Sequence, residues 1–287
     1  MRFEVVTKLA IVLIRETATN EKQAMSEAEI YAKNLDCWDC PVNLTRIEGV
    51  LHSNDYACNT AAAAAGVAPA VFHFDTKALV VDYVESRTLS EEDVRDDAML
   101  ERILDLMLRT HKDAFRQIRG PVCAFWPFRI YRDYAFFLEE HNSRTILVLE
   151  TIRNRNDRLE SAIGGVDMVL GHNDFLAQNL LDDGNRLWLI DWEHAGFGSP
   201  LFDLANLSSN NKLGERHREW LLEAYFDKPV TDELRTKFRA MSAASLLREA
   251  MWSMVSEITS SLGFDYVAYA DDCFEQFNKA FDIFEEN

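Results

Sequence analysis

The stretch "GHNDFLAQNLL", residues 171–181, sets His172, Asp174 and Asn179 among apolar neighbours, and "LIDWE" follows at 189–193. Between them Asp183–Gly184 is a hairpin turn signal flanked by apolar runs. A hairpin centred there folds Asn179, at the start of its first strand, back toward Asp191, at the end of its second, with Asp174 in the loop just before. An aspartate, an amide and a second aspartate then converge at one open end, backed by Leu180, Leu181, Leu187, Leu189 and Ile190. Mg²⁺ prefers hard oxygen ligands and takes one or two carboxylates beside phosphate oxygens and water. Asn179 and Asp191 offer that incomplete set. Asp174 stands where an alcohol attacking phosphorus would meet its general base. Each residue alone reads better as a turn cap or a satisfied core group; together at this spacing they point to phosphoryl transfer.

The elements that must position these groups are legible in outline. "AMSEAEIYAKNL" at 24–35 has helical periodicity, "PVNLTRIEGVL" is strand-like, and "NDYACNTAAAAAG" predicts a helix with Asn54 as N-cap and Gly66 just past its end. "AVFHFD" and "KALVVDYVE" read as two strands joined at Asp75–Thr76. Ser90, followed by three acidic residues, starts a helical stretch that runs through "AMLERILDLMLRTHKDAF". Further helices are expected over 130–142, 144–161, 214–226, 231–261 and 266–285. The fold class is α+β: a small lobe over 1–86, a hinge at 82–88, and a larger, mainly helical lobe over 87–287.

Composition narrows the partners. Forty-eight acidic residues against thirty basic ones give a net charge of −18, a field that repels a phosphate backbone and draws in a small cation, so no nucleic-acid partner is expected. "KLAIVLIRE" is too short an apolar run for a signal segment, no span approaches a membrane helix, and five cysteines without a dense framework fit a reducing cytoplasm. "CWDCP" at 37–41 has redox or half-zinc spacing but lacks a second ligand pair, and reads as two incidental thiols.

"HNDFLAQN" followed by "LIDWEHAGFGSPLFDLAN" resembles the catalytic segment of the choline kinase and aminoglycoside phosphotransferase group, protein-kinase-like enzymes that phosphorylate small molecules. Their pattern is His-x-Asp, four spacers, Asn, a hairpin ending Ile-Asp-Phe-Glu-Tyr, and a Phe-Asp-x-x-Asn. In this chain Asp203 lies twelve residues after Asp191, Phe202 precedes it and Asn206 completes the motif. The resemblance implies a two-lobed protein-kinase-like fold with its active site in the cleft, Asp174 as catalytic base, Asn179 and Asp191 as Mg²⁺ ligands, Asp203 as a buried brace of the catalytic loop, and His172 as a packing residue. "AMWSMVSE" and "FDYVAYADDCF" are similar to the segments whose aromatics box a quaternary ammonium, which puts Trp252, Phe264 and Tyr269 around the substrate's cationic end. Departures are His194 for the Tyr after Ile-Asp-Phe-Glu, Glu249 for a first Trp, Asn210 for a Glu, and Leu176 for a Gln.

The same resemblance asks the small lobe for a glycine-containing loop over ATP, a basic residue reaching its phosphates and an acid holding that residue. No glycine precedes Gly49; Asp55 falls on the acid's position, Arg46 is the basic candidate, and the backbone of Asp82, Tyr83 and Val84 is placed to meet adenine. Two registers compete, with "LTRIEG" as third strand or "RIEG" as the start of the nucleotide loop. The second implies a sheet that has lost strands, with supply from a second copy of the chain as one remedy. The expectation is a cytoplasmic, ATP- and Mg²⁺-dependent kinase of a small cationic alcohol, choline or ethanolamine first. The rivals are an aminoglycoside or other small-molecule kinase, for which Glu193, Glu249 and Glu257 offer carboxylates, and a catalytically impaired kinase-derived binding protein.

Overall fold

The computed structural model describes residues 10–14, 52–74, 78–260 and 262–286. The predicted helix at 24–35, the strand-like stretch at 41–51, the two cysteines of "CWDCP", Arg46 and the Asp75–Thr76 connection lie outside the described residues. By contacts the chain forms two compact units, one holding 50–123 with 169–197 and the other 124–168 with 198–287.

The first unit opens on a mixed three-stranded sheet. β1 (Ala10–Ile14) runs parallel to β3 (Ala78–Asp82), and β2 (Val71–Phe74) runs antiparallel to β3. The apolar run at 10–14 is thus a strand, which its length alone left unassigned. Helix α1 (His52–Ala64) lies between β1 and β2 in the chain. Asn54 does not cap it, as expected from sequence, but sits inside the helix: its Oδ1 accepts from the Cys123 amide and its Nδ2 donates to the Ala195 carbonyl, both at 2.7 Å. A buried amide that satisfies two distant backbone groups outweighs one that satisfies a local helix end. Gly66 does take the left-handed conformation, φ +68°, that a residue just past a helix favours.

β4 (Arg87–Thr88) forms the last two residues of the predicted hinge and pairs with the second strand group, Arg87 opposite Asp182 and Thr88 opposite Leu181. Ser90 then starts α2 (Glu91–Val94) through a capping box, its hydroxyl accepting from the Asp93 amide while Asp93 accepts from the Ser90 amide. A second cap, Asp96, restarts the chain as α3 (Asp97–Arg109), which buries Leu100, Ile103, Leu104 and Met107 at helical spacing and continues through one π turn, Thr110–Ala114.

In the second unit, α4 (Pro127–Glu140) and α5 (Leu149–Ile163) precede β5 (Val169–Gly171), the strand that enters the loop of the first unit. That unit's hairpin, β6 (Leu180–Asp182) and β7 (Leu187–Leu189), leads on to β8 (Gly196–Gly198). The second unit resumes with α6 (Pro200–Asn210), absent from the sequence expectations although Ser199 caps it and Pro200 occupies its first turn. α7 (Glu215–Phe226), α8 (Asp232–Thr259) and α9 (Tyr266–Glu285) complete it. The 28-residue α8 is unbroken and packs against α4, α5, α6 and α9, with small residues such as Ala240, Ala243, Ala244 and Ala250 buried along it. No helix of the described residues is long and apolar enough to cross a membrane.

Candidate active site

The hairpin turn forms where Asp183–Gly184 places it. Gly184 adopts φ +89°, and Asp183 Oδ1 accepts from the amides of Asn185 and Arg186 at 2.8 Å. β6 and β7 pair Leu180 with Leu189 and Leu181 with Trp188, so alternate leucines bury on one side. Beyond the last pair the Ile190 amide donates to the Asn179 carbonyl at 3.0 Å, which closes the open end and sets Asp191 one residue past it. The hairpin is tied down at its other end: Arg102 on α3 makes a two-pronged ion pair with Asp182, at 2.8 and 3.2 Å.

Asn179, in a short 3-10 turn ahead of β6, donates from Nδ2 to both the Asp174 carbonyl (2.9 Å) and Asp174 Oδ2 (3.0 Å). Both donor hydrogens are thereby spent on Asp174. Its Oδ1, the one amide atom able to ligate a cation, is left uncommitted among the described residues. Asp174 is half-buried, while Asn179 and Asp191 are buried.

Two residues of this segment hold left-handed backbone, Asn173 at φ +64° and Asp191 at φ +67°. Non-glycine residues rarely do so outside sites that over-determine them. Asn173 is held by its Nδ2, which donates to the His194 carbonyl at 2.9 Å. His172 is the packing residue expected: fully buried, its Nε2 donates to the Ile190 carbonyl at 3.0 Å and its ring meets Trp192 and Phe175 edge-on. The loop before the amide and the strand after the turn are thus joined through one imidazole. Glu193 is buried, 3.3 Å from the His194 ring.

The donor set suits one hard divalent ion. An amide oxygen and a carboxylate match the one or two protein ligands Mg²⁺ uses beside phosphate. Among the described residues no group of three or more His, Cys, Asp or Glu forms a self-sufficient metal cage.

Of the nucleotide candidates, Asp55 is buried on α1, where loss of hydration pushes its carboxyl up to about 6 and the Asn59 amide, donating at 2.9 Å, offsets part of that rise. Asp82 ends β3 with its amide donating to the Ala70 carbonyl at 2.9 Å; Asp82 and Tyr83 are exposed, and Val84 is half-buried with its carbonyl accepting from the Ser86 hydroxyl at 3.1 Å.

The second unit gathers the aromatic candidates by themselves. Phe264 meets Tyr269 at 5.6 Å between ring centroids, and Tyr266 joins the set, 4.9 Å from Phe264 and 6.0 Å from Trp252. Tyr266 was not among the sequence candidates, although it lies in the same "FDYVAYA" run. Tyr269 donates to Glu249 Oε1 at 2.9 Å; burial and that carboxylate push the phenol's pKa up. Glu257 faces a different partner, a two-pronged pair with Arg144 at 2.8 and 2.9 Å, so its charge is already matched. Asp203 and Asn206 are buried on α6, and Asn206 donates to Ser245 on α8 at 3.3 Å.

A family model described as choline/ethanolamine kinase matches residues 46–220, more than half the chain. The protein LicA of Haemophilus influenzae is 26% identical over 215 residues, covering 71% of this chain and 60% of its own length. The chain therefore spans less than two thirds of that relative. A crystal structure of a choline/ethanolamine kinase family protein from Mesorhizobium loti superposes with a TM-score of 0.71 at 26% identity, over 80% of this chain and 79% of the other. A LicA solved in complex with AMP is alike in fold, with a TM-score of 0.68 at 21% identity over 84% and 82% of the two chains.

Proposed function

This chain belongs to the choline/ethanolamine kinase family, and we propose that it moves the terminal phosphoryl group of ATP, with Mg²⁺, onto the hydroxyl of a small cationic alcohol, choline or ethanolamine first. The observation that carries this reading is the orientation of Asn179. With both of its N–H groups on Asp174, it aims the base and leaves Oδ1 as the atom that would hold a metal.

In the reaction the substrate oxygen forms a bond to phosphorus as the bond to the ADP oxygen breaks, and Asp174 takes the hydroxyl proton. Asn179 Oδ1 and the Asp191 carboxylate would hold Mg²⁺, which when bound offsets the charge on the phosphates. The backbone of Asp82, Tyr83 and Val84 would meet adenine, in keeping with the AMP held by one LicA. Asp55, penalised by burial, gains most from a basic partner, and Arg46 is the one we assign to it. Trp252, Phe264 and Tyr269 would face the cation, since a trimethylammonium has no hydrogen to donate and aromatic faces are what a site can offer it. Glu249, hydrogen-bonded to Tyr269, supplies nearby negative charge. A polyamine such as an aminoglycoside asks for more free carboxylates, and Glu257 is matched by Arg144. The thiols of Cys58, Cys123 and Cys273 are free, in keeping with a cytoplasmic setting.

The test is phosphorylation of choline and ethanolamine by Mg-ATP, wild type against Asp174→Ala, alongside calorimetric titration with Mg-ATP. Turnover that survives in the variant on every accepted alcohol would refute the role of Asp174. Absence of nucleotide binding at millimolar concentration would favour a kinase-derived binding protein.

A further inference from the structure

A cavity of about 430 Å³ opens within the second unit among α6, α7, α8 and α9, and none of the residues assigned above lines it. Its volume falls within the roughly 300–1,000 Å³ of ordinary ligand pockets. α7 lines it through Arg218 and Leu222, α8 through Phe238, Arg239 and Leu246, and α9 through Lys279 and Ile283. Each helix thus presents a cation and an apolar side chain one or two turns apart.

The charge of the lining runs against that of the chain. Lys212, Arg218, Arg235, Arg239 and Lys279 face Glu215 and Glu219, in a protein of net charge −18. Arg235 is taken by Glu219 and Asp232, and Lys279 by Glu275. Arg218 and Arg239 have no acid partner among the described residues. The Arg218 Nε is buried and has no hydrogen-bond partner among the described residues. An unmade hydrogen bond on a buried guanidinium nitrogen is costly, and two unmatched guanidiniums on one cavity repel each other. An anionic head with two or more oxygens relieves both costs, because the guanidinium fork fits carboxylate and phosphate geometry.

We propose that this cavity is a binding site for a single-chain amphipathic anion, its carboxylate or phosphate head on Arg218 and Arg239 and its alkyl tail against Leu222, Phe238, Leu246 and Ile283. The site is separate from the proposed phosphotransfer machinery. It does not depend on that reading.

The test is calorimetric titration of the full chain, below micelle-forming concentration, with dodecanoate, dodecyl phosphate, dodecyltrimethylammonium, acetate and inorganic phosphate. Saturable binding of the two long-chain anions is expected, with binding at least tenfold weaker for the cation of equal tail and for the two short anions. Whichever long-chain anion binds more tightly identifies the head. The Arg218→Gln/Arg239→Gln variant should lose at least tenfold in affinity for both while Mg-ATP titration is unchanged, and Arg239→Gln alone, at a half-buried position, should lose part of it. The proposal is overturned if the cation binds as well as the anions, if neither anion saturates, or if folded variants bind them with wild-type affinity.

Discussion

Asn179 donates both of its side-chain hydrogens to Asp174, one to the main-chain carbonyl and one to the carboxylate. Base and ligand are therefore one mechanical unit, and damage to the amide should reach the base. Asn179→Ala is expected to lower kcat by about 10²–10⁴-fold, the range for a misplaced general base, and to raise the Mg²⁺ concentration needed for half-activity. Steady-state kinetics over a Mg²⁺ series check it; a variant altered in Mg²⁺ demand alone would separate the two roles.

Asp191 sits at φ +67°, where Asn is the best tolerated substitute for its backbone. Asp191→Asn should keep the fold and remove the charge. We expect an unchanged melting temperature with activity strongly reduced and recovered only in part by excess Mg²⁺. Asp191→Ala should lose stability as well, since its short side chain neither ligates nor favours that backbone conformation.

The buried side chain of Asn54 bridges the Cys123 amide and the Ala195 carbonyl. Its truncation to Ala orphans a buried acceptor at Ala195 and a part-buried donor at Cys123, a cost of about 1–3 kcal/mol. Urea unfolding at pH 7 reads it as a lower midpoint at constant slope.

Asp55 makes stability depend on pH. Its folded pKa is raised by burial to about 6. Below about pH 4 the group is protonated folded and unfolded, and costs nothing. As pH rises toward 6 the unfolded chain ionises first and stability falls, by about 3 kcal/mol in all, and above 6 the penalty is constant. Asp55→Asn, which keeps an oxygen for the Asn59 amide, should match wild type near pH 4 and exceed it at pH 8. The expectation is for the nucleotide-free chain with Asp55 unpaired; equal stability of the two proteins at pH 8 would mean that Arg46, its assigned partner, already matches the carboxylate.

Tyr269 offers a ring and a hydroxyl, the latter held by Glu249. If the ring faces a quaternary ammonium, Tyr269→Ala should raise the KM for choline by about 5- to 30-fold, a desolvated cation–π contact being worth roughly 1–2 kcal/mol, with kcat changed less. Tyr269→Phe should stay close to wild type for choline.

What the sequence determined by itself was local. The turn at Asp183–Gly184, the box at Ser90 and the convergence of Asn179 with Asp191 each follow from atoms a few bonds apart or from a two-strand register, and the structure builds all three. The run at 10–14 and the helix at 200–210 carried signals too, an apolar strand and a Ser-Pro start, yet went unassigned because short segments need a neighbour to choose their state. Only the tertiary structure could set Asn54 on two partners from distant parts of the chain, hand Glu257 to Arg144, or bring Arg218 and Arg239 from separate helices onto one cavity. A buried polar or charged group goes to whichever partner leaves the fewest unmet hydrogen bonds and charges, and that choice is made among residues that only the packed helices bring within reach.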